Sequence, residues 1–194
     1  MFRQYWRIMA LVLFPVGVNA ATVLGLEEPQ LVQRSDAIVF GSVLATEVKV
    51  DPRYGIYTEA NIQVYDGLLG AKPGEVLKVK IPGGKLPDGR RAVVSGAPTL
   101  TVGERFFAFL EKRNGSYVPW GLSFGWLQVR KSDDGQWGVS RILDGLNALD
   151  VRGNAMSPKQ IRLQNIPLSE LSARIRGHLA ALEKQTDFEQ GGVR

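Results

Sequence analysis

No cysteine occurs among the 194 residues, and histidine occurs once, at position 178. The first absence removes disulfides, thiol nucleophiles, thiolate-bound metals and attachment through a lipidated N-terminal cysteine. The second leaves too few imidazoles for a zinc site of the common kinds. It also leaves one candidate base for a nucleophilic triad, with no G-x-S-x-G frame around Ser95-Gly96 to complete it. His178 follows Ile175 and precedes Leu179, which places it on the flank of a packing stripe. No cofactor and no metal site is therefore expected.

Long apolar runs are also scarce. The one candidate is "IMALVLFPVGV", Ile8 to Val18, preceded by Arg3 and Arg7 and followed by Asn19 and Ala20. A positive start, a short apolar stretch and a small-residue end describe a secretory signal over residues 1–20. The run is shorter than the roughly 18 residues a membrane span requires. A mature chain from Ala21, periplasmic or secreted and not membrane-spanning after cleavage, is the expectation. Without disulfides, such a chain must be held together by its packing.

Charge of one sign is scarce too. Without Arg3 and Arg7, 22 basic residues face 19 acidic ones, a net charge of +3. That is too mild to argue for nucleic acid, and export argues against it.

What is present is mainly strand-forming. "LGLEEPQLVQRS" (24–35) reads as a short helix with Pro29 in its first turn and Leu31 and Val32 buried. "DAIVFGSVLATEVKV" (36–50) is a β-branched strand, with Gly41 marking a bulge or tight bend. After the turn 51–55, Ile56, Thr58, Ala60, Ile62 and Val64 alternate with wetter residues. In "VLKVKI" (76–81), Leu77, Val79 and Ile81 oppose Lys78 and Lys80. "PGGKLPDGRR" (82–91) reads as a long, flexible basic loop.

"ERFFAFLEKR" (104–113) has apolar residues on both sides, the mark of a central strand covered twice. Asn114-Gly115 then calls for a type I′ hairpin turn. "SYVPWGL", "FGWLQVRK" and "QWGVSRIL" read as three further strands, the last two joined across Asp134-Gly135. Residues 144–164 read as loop. Asn165 to Lys184 reads as a helix with Leu168, Leu171, Ile175, Leu179 and Leu182 on one stripe, and 185–194 as a flexible tail. The domain is thus a single unit over 21–184.

Candidate chemistry is limited to charged and aromatic surfaces. Lys72, Lys78, Lys80, Lys85, Arg90 and Arg91 against Glu75 and Asp88 give a local +4 that could dock an acidic polymer or protein. The competing reading is a solvated strand face. Trp120, Trp126 and Trp137 fit either a sugar platform or core packing, and their apolar neighbours favour packing. Asp88, Glu104, Glu111, Asp133 and Asp134 could serve a carboxylate-dependent glycan hydrolase, but no spacing pairs two of them across a cleft. "SGAPTLTVG" (95–103) bends the chain into the central strand, with Glu104 and Arg105 at its mouth where they could pair or cap.

The order "SDAIVFGSV", "YDGLLG", "GEVLKVKIPGG", "VGERFFAFL", hairpin, helix resembles a recurrent exported bacterial β-domain. More distantly it is similar to the netrin-like domain of the tissue inhibitors of metalloproteinases. The resemblance implies a mainly β (α+β) fold. Its core would be an OB-like or netrin-like antiparallel barrel, with a short N-terminal helix and a C-terminal amphipathic helix. Those inhibitors bind the protease zinc through an N-terminal cysteine, which this chain lacks, so only the barrel carries over. The expected function is a non-enzymatic binding or scaffold module of the cell envelope. It would recognise an exported protein or acidic polymer through barrel-end loops carrying Lys85, Arg90, Arg91, Glu104 and Arg105. The alternative is the carboxylate-dependent hydrolase.

Overall fold

The computed structural model describes residues 21–143 and 146–191. The expected signal segment lies outside them. Helix α1 (Glu28–Arg34) follows a short strand β1 (Ala21–Leu24), and the backbone N–H of Glu27 donates to Gln30 Oε1 at 3.2 Å to close its first turn. Leu31 and Val32 are its buried residues, as the spacing predicts.

β2 (Ala37–Asp51) and β3 (Gly55–Leu69) form a long antiparallel hairpin. Asp51 Oδ1 sets its turn by accepting the backbone N–H groups of Arg53 and Tyr54. The register slips at three places, one of them between Phe40 and Gly41, where the sequence calls for a bulge. β4 (Val76–Pro82) continues the sheet beside β3.

The segment 82–91 is not the loose loop its composition suggests. β5 (Gly84–Lys85) and β6 (Arg91–Ala92) pair as a small separate hairpin closed over a buried Leu86, whose N–H donates to Arg90 O at 2.8 Å. The buried Leu86, the β5–β6 pairing and the Arg90 N–H bond to Asp88 Oδ1 order it together.

β7 (Arg105–Arg113) is the central strand. It pairs with β2, with β8 (Ser116–Pro119) and with β9 (Trp126–Lys131). Its alternation feeds two cores. Phe107 and Phe109 join Leu31, Val32, Leu171 and Ile175 beneath the helices. Phe106, Ala108 and Leu110 join Val39, Val43, Ile62, Val79 and Ile81 on the other face. Asn114 and Gly115 both take positive φ, 48° and 77°, as the hairpin turn requires. Beyond β8, which also meets β4 in parallel at Val79↔Tyr117, a 3-10 turn (Leu122–Phe124) leads into β9. β10 (Trp137–Ser140) returns antiparallel to β9.

Residues 144–164 hold more than loop. β11 (Leu146–Leu149) runs parallel to β1, and α2 (Pro158–Ile161) follows. Two four-residue strands far apart in sequence carry too little periodicity to be read singly. β12 (Ile166–Pro167) adds to β10, so that α3 (Leu168–Gly191) starts later than the sequence suggests. It also runs on to Gly191, where a tail from residue 185 is expected. Gln185, Glu189 and Gln190 there are good helix formers, and no proline stops them. The large sheet has the order β12-β10-β9-β7-β2-β3-β4-β8, with β7–β8 paired as well. The fold is mainly β with the expected helices near both ends, and no helix among the described residues is long and apolar enough to cross a membrane.

One acid-sensitive contact sits on the β2–β3 hairpin. Lys49 Nζ lies 2.7 Å from Glu59 Oε1 and 3.0 Å from Glu47 Oε2. The hydrogen bond from Lys49 holds the Glu59 carboxyl below its ordinary value of 4.5. A carboxylate lowered on folding adds stability above its unfolded value and loses it as pH falls through the folded one. Unfolding free energy is therefore expected to fall below about pH 4.5, and Glu59→Gln to shallow that slope while leaving it flat at neutral pH. Urea melts of both proteins between acid and neutral pH check this, and identical slopes would refute it.

Candidate functional site

Arg105 opens β7 on the same face as Phe107 and Phe109, opposite Ser42 of β2 and Val129 of β9. The two phenylalanines are buried, whereas Arg105 is half-buried at the strand's start. Its guanidinium carbon lies 4.0 Å from the Trp137 ring centroid and 5.6 Å from that of Tyr65. Lys131, paired with Trp137 across the β9–β10 hairpin, brings its Nζ within 5.9 Å of the same indole. Tyr65 is itself fixed: its hydroxyl shares a 2.8 Å hydrogen bond with Ser42 Oγ, and its ring tilts against Phe40 at 5.6 Å.

Among the described residues the Arg105 side chain has neither an ion pair nor a hydrogen bond. Two aromatic faces hold the cation, each contact contributing about 0.5–2 kcal/mol depending on exposure. Its N–H donors stay free for a ligand. Such an arginine is preorganised, because side-chain entropy is lost before binding rather than during it. A groove of about 400 Å³ adjoins it, lined by Phe40, Trp137, Leu168 and Ser172 and bordered by the Arg176–Asp66 ion pair at 2.8 Å.

The other expected binding residues do not converge on this place. Lys85 stands directly opposite Arg91 in the β5–β6 hairpin, both exposed and without an acidic partner among the described residues. Like charges in register repel, so this pair favours an anion between them. Arg90 is taken by Asp88 at 2.7 Å, and that bond draws the Asp88 carboxyl below its usual range. The hairpin packs at Val48 and Thr58, since a side chain on Gly84 would strike both. From Ser42, beside Arg105, to Val48 is six residues of β2, or roughly 20 Å of strand. The expected single basic end is thus two separate places.

Glu104 and Arg105 do not pair either. Adjacent strand residues point to opposite faces; Glu104 Oε2 accepts the Thr101 N–H at 3.3 Å, while Arg105 stacks on the far side. Gly103 donates its N–H to Val43 O and Glu104 accepts that of Val43, so the bend 95–103 does deliver the chain into β7.

The tryptophans divide. Trp126 is buried and stacked on Phe106 at 4.0 Å, a packing residue. Trp120 lies past the end of β8, half-buried, donating its indole N–H to Arg34 O at 2.7 Å. Trp120 also carries a cation over its ring, Arg34 at 5.7 Å, whereas Trp137 gathers two, Arg105 at 4.0 Å and Lys131 at 5.9 Å. Its hairpin, legible at Asp134-Gly135, already sets it beside Lys131; that Arg105 and Tyr65 join it depends on pairings far apart in sequence.

Two further candidate carboxylates, Asp134 and Glu111, are used locally. Asp134 accepts from Ser132 and the Gln136 backbone in its turn, and Glu111 pairs with Arg113 at 2.8 Å. His178 Nε2 lies 3.1 Å from Glu28 Oε1, a carboxylate also bound to Arg174, so it ties α3 to α1. No protein-family model and no curated protein matches the chain.

Proposed function

We propose that the protein is an exported, non-enzymatic binding module of the cell envelope that recognises a carboxylated polysaccharide through Arg105. The observation that carries this is a half-buried guanidinium clamped between Trp137 and Tyr65 with its donors unspent. A carboxylate meets such a fork in a bidentate geometry. The Trp137 and Tyr65 rings and the Ser42 hydroxyl beside it suit a sugar ring, which has both apolar faces and hydroxyls. Lys131 adds a second positive charge at the same indole. The architecture we read is an OB-type barrel closed through β2-β3-β4-β8-β7, in support of which β8 pairs with β7 and touches β4. Barrels of that type bind through one sheet face and adjoining loops, an argument by analogy of fold.

The test is calorimetric titration of the protein with polygalacturonate, beside neutral dextran. Binding to the acidic polymer alone is expected, weakening as salt rises. Arg105→Gln should weaken it at least tenfold, about 1.4 kcal/mol, while Lys85→Gln/Arg91→Gln, a Debye length or more away, should cost less. Equal affinity for dextran, or an Arg105→Gln variant that binds like wild type, would sink the reading. Retention only of acidic proteins would reassign the partner.

A further inference from the structure

On the face of β7 and β9 turned away from Arg105, the bend 96–104 roofs a cleft of about 250 Å³. Its polar lining is Thr99, Glu104, Ser123 and Gln128; Pro98, Trp126 and Ile142 supply apolar walls. No lysine or arginine among the described residues lines it. Two acceptors here are unspent. One carboxylate oxygen of Glu104 takes the Thr101 N–H at 3.3 Å, and the other has no partner among the described residues. Gln128 Oε1 is buried with no hydrogen bond among the described residues. A buried acceptor left unmatched costs stability, and such groups call for an explanation. Gln128 lines the cleft and its amide torsion is soft, so rotation about that torsion is the movement that would turn this oxygen toward a bound donor.

We propose that this cleft binds an organic ammonium: a protonated primary amine on a compact apolar body. An ammonium group brings three donors and no acceptor, the complement of a carboxylate, an amide oxygen and a hydroxyl. The body of the ligand lies against Pro98, Trp126 and Ile142. An anion would meet Glu104 with no cation to offset it. A neutral apolar ligand would bury Glu104 and Gln128 unmatched. A hard divalent ion would find one carboxylate where it wants several oxygens. The amine is either a free small molecule or the side chain of a lysine presented by a polypeptide. The proposal does not depend on the Arg105 reading, since the two sites lie on opposite faces of the sheet.

Amide NMR titration of the protein tests it with three probes: cyclohexylammonium chloride, Nα-acetyl-lysinamide and neutral cyclohexanol. The expected result is saturable shifts at residues 96–99, 104 and 123 with one or both amines and none with the alcohol. Response to both amines assigns a free amine as sufficient; response to the lysinamide alone assigns a polypeptide source. Glu104→Gln, which keeps the shape, should weaken binding about tenfold or more. Gln128→Met should weaken it too while raising the Tm of the empty protein, because a half-buried side chain with an unmatched amide oxygen is replaced at similar volume. Arg105→Gln should leave amine binding unchanged, which separates this proposal from the previous one. No shift with either amine at about 20 mM, a range that registers even weak millimolar binding, would overturn it. So would equal shifts from cyclohexanol, or a Glu104→Gln variant that binds as wild type.

Discussion

Phe107→Ala is expected to remove about 3–5 kcal/mol of stability, a large part of the ~5–15 kcal/mol that holds a domain of this size. Phe107 is completely buried, packs at 5.6 Å against Phe109, and faces the core shared with α1 and α3. The loss combines the transfer of a whole aromatic side chain with the cavity it leaves. The cavity cannot collapse easily, because β7 is pinned on both sides by β2 and β9. Damage should spread towards the helices: Leu171 and Ile175 of α3 lose a neighbour in their own cluster. Phe106→Ala should cost a similar amount through the other core, where the ring stacks on Trp126. The two differ in where they loosen the molecule. Urea melts measure the first effect. Hydrogen exchange at the α3 amides measures the second, with faster exchange expected for Phe107→Ala than for Phe106→Ala. A loss under about 1 kcal/mol from Phe107→Ala would mean that the helices do not seal this face.

Gly41→Ala carries the other large effect, about 2–3 kcal/mol, joined to a loss at the Arg105 site. The backbone at Gly41 is not in the left-handed region, so conformational freedom is not the issue. Space is: an added Cβ would collide with the carbonyl oxygen of Gln63 on the neighbouring strand and sit 3.4 Å from the Phe106 ring. A backbone atom in a paired hairpin cannot swing aside as a lysine tip would. The strands must part, and they part where the register already slips between Phe40 and Gly41. Phe40 supports the Tyr65 ring and Ser42 holds its hydroxyl. Moving the bulge thus moves one of the two rings that clamp Arg105. The expected outcome is a lower Tm together with weaker polygalacturonate binding than the stability loss alone would cause at a temperature where the variant is folded. A folded variant with wild-type Tm would show that β2 and β3 can separate freely at the bulge.

Much of this fold can be read without coordinates, for identifiable reasons. β7 declares itself by apolar residues on both faces, since only a strand covered twice can bury Phe106 and Phe107 together. The Asn114-Gly115 turn declares itself because few residues accept positive φ in succession. The stripe Leu171–Ile175 predicts the buried face of α3. Where reading fails, the signal is short or its cause is distant. β1 and β11 are four residues each and stabilise one another across more than half the chain. The 82–91 segment carries one large apolar side chain, Leu86, among prolines, glycines and charged residues, too little for a periodic signal, yet burial of Leu86 and the β5–β6 pairing order it. The end of α3 is misjudged because a polar, proline-free stretch looks the same whether it is a helix or a tail.

The same division governs the site. Composition and local pattern determine what this chain is made to do without: cysteine chemistry and a histidine-rich metal centre. They also determine the alternation that sends Glu104 and Arg105 to opposite faces of one strand. Tertiary structure alone decides what each then meets. The pairing of β7 with β9 and β2 sets Arg105 between Trp137 and Tyr65, residues 32 and 40 positions away in the chain, and sets Glu104 in a cleft with Gln128. It also keeps Lys85 and Arg91 at the far end of β2, although their proximity in sequence suggests one basic surface. Periodicity of two or 3.6 residues is a local property of the backbone. Which strand lies beside which is fixed by burial of whole faces, and that information is spread over the entire chain.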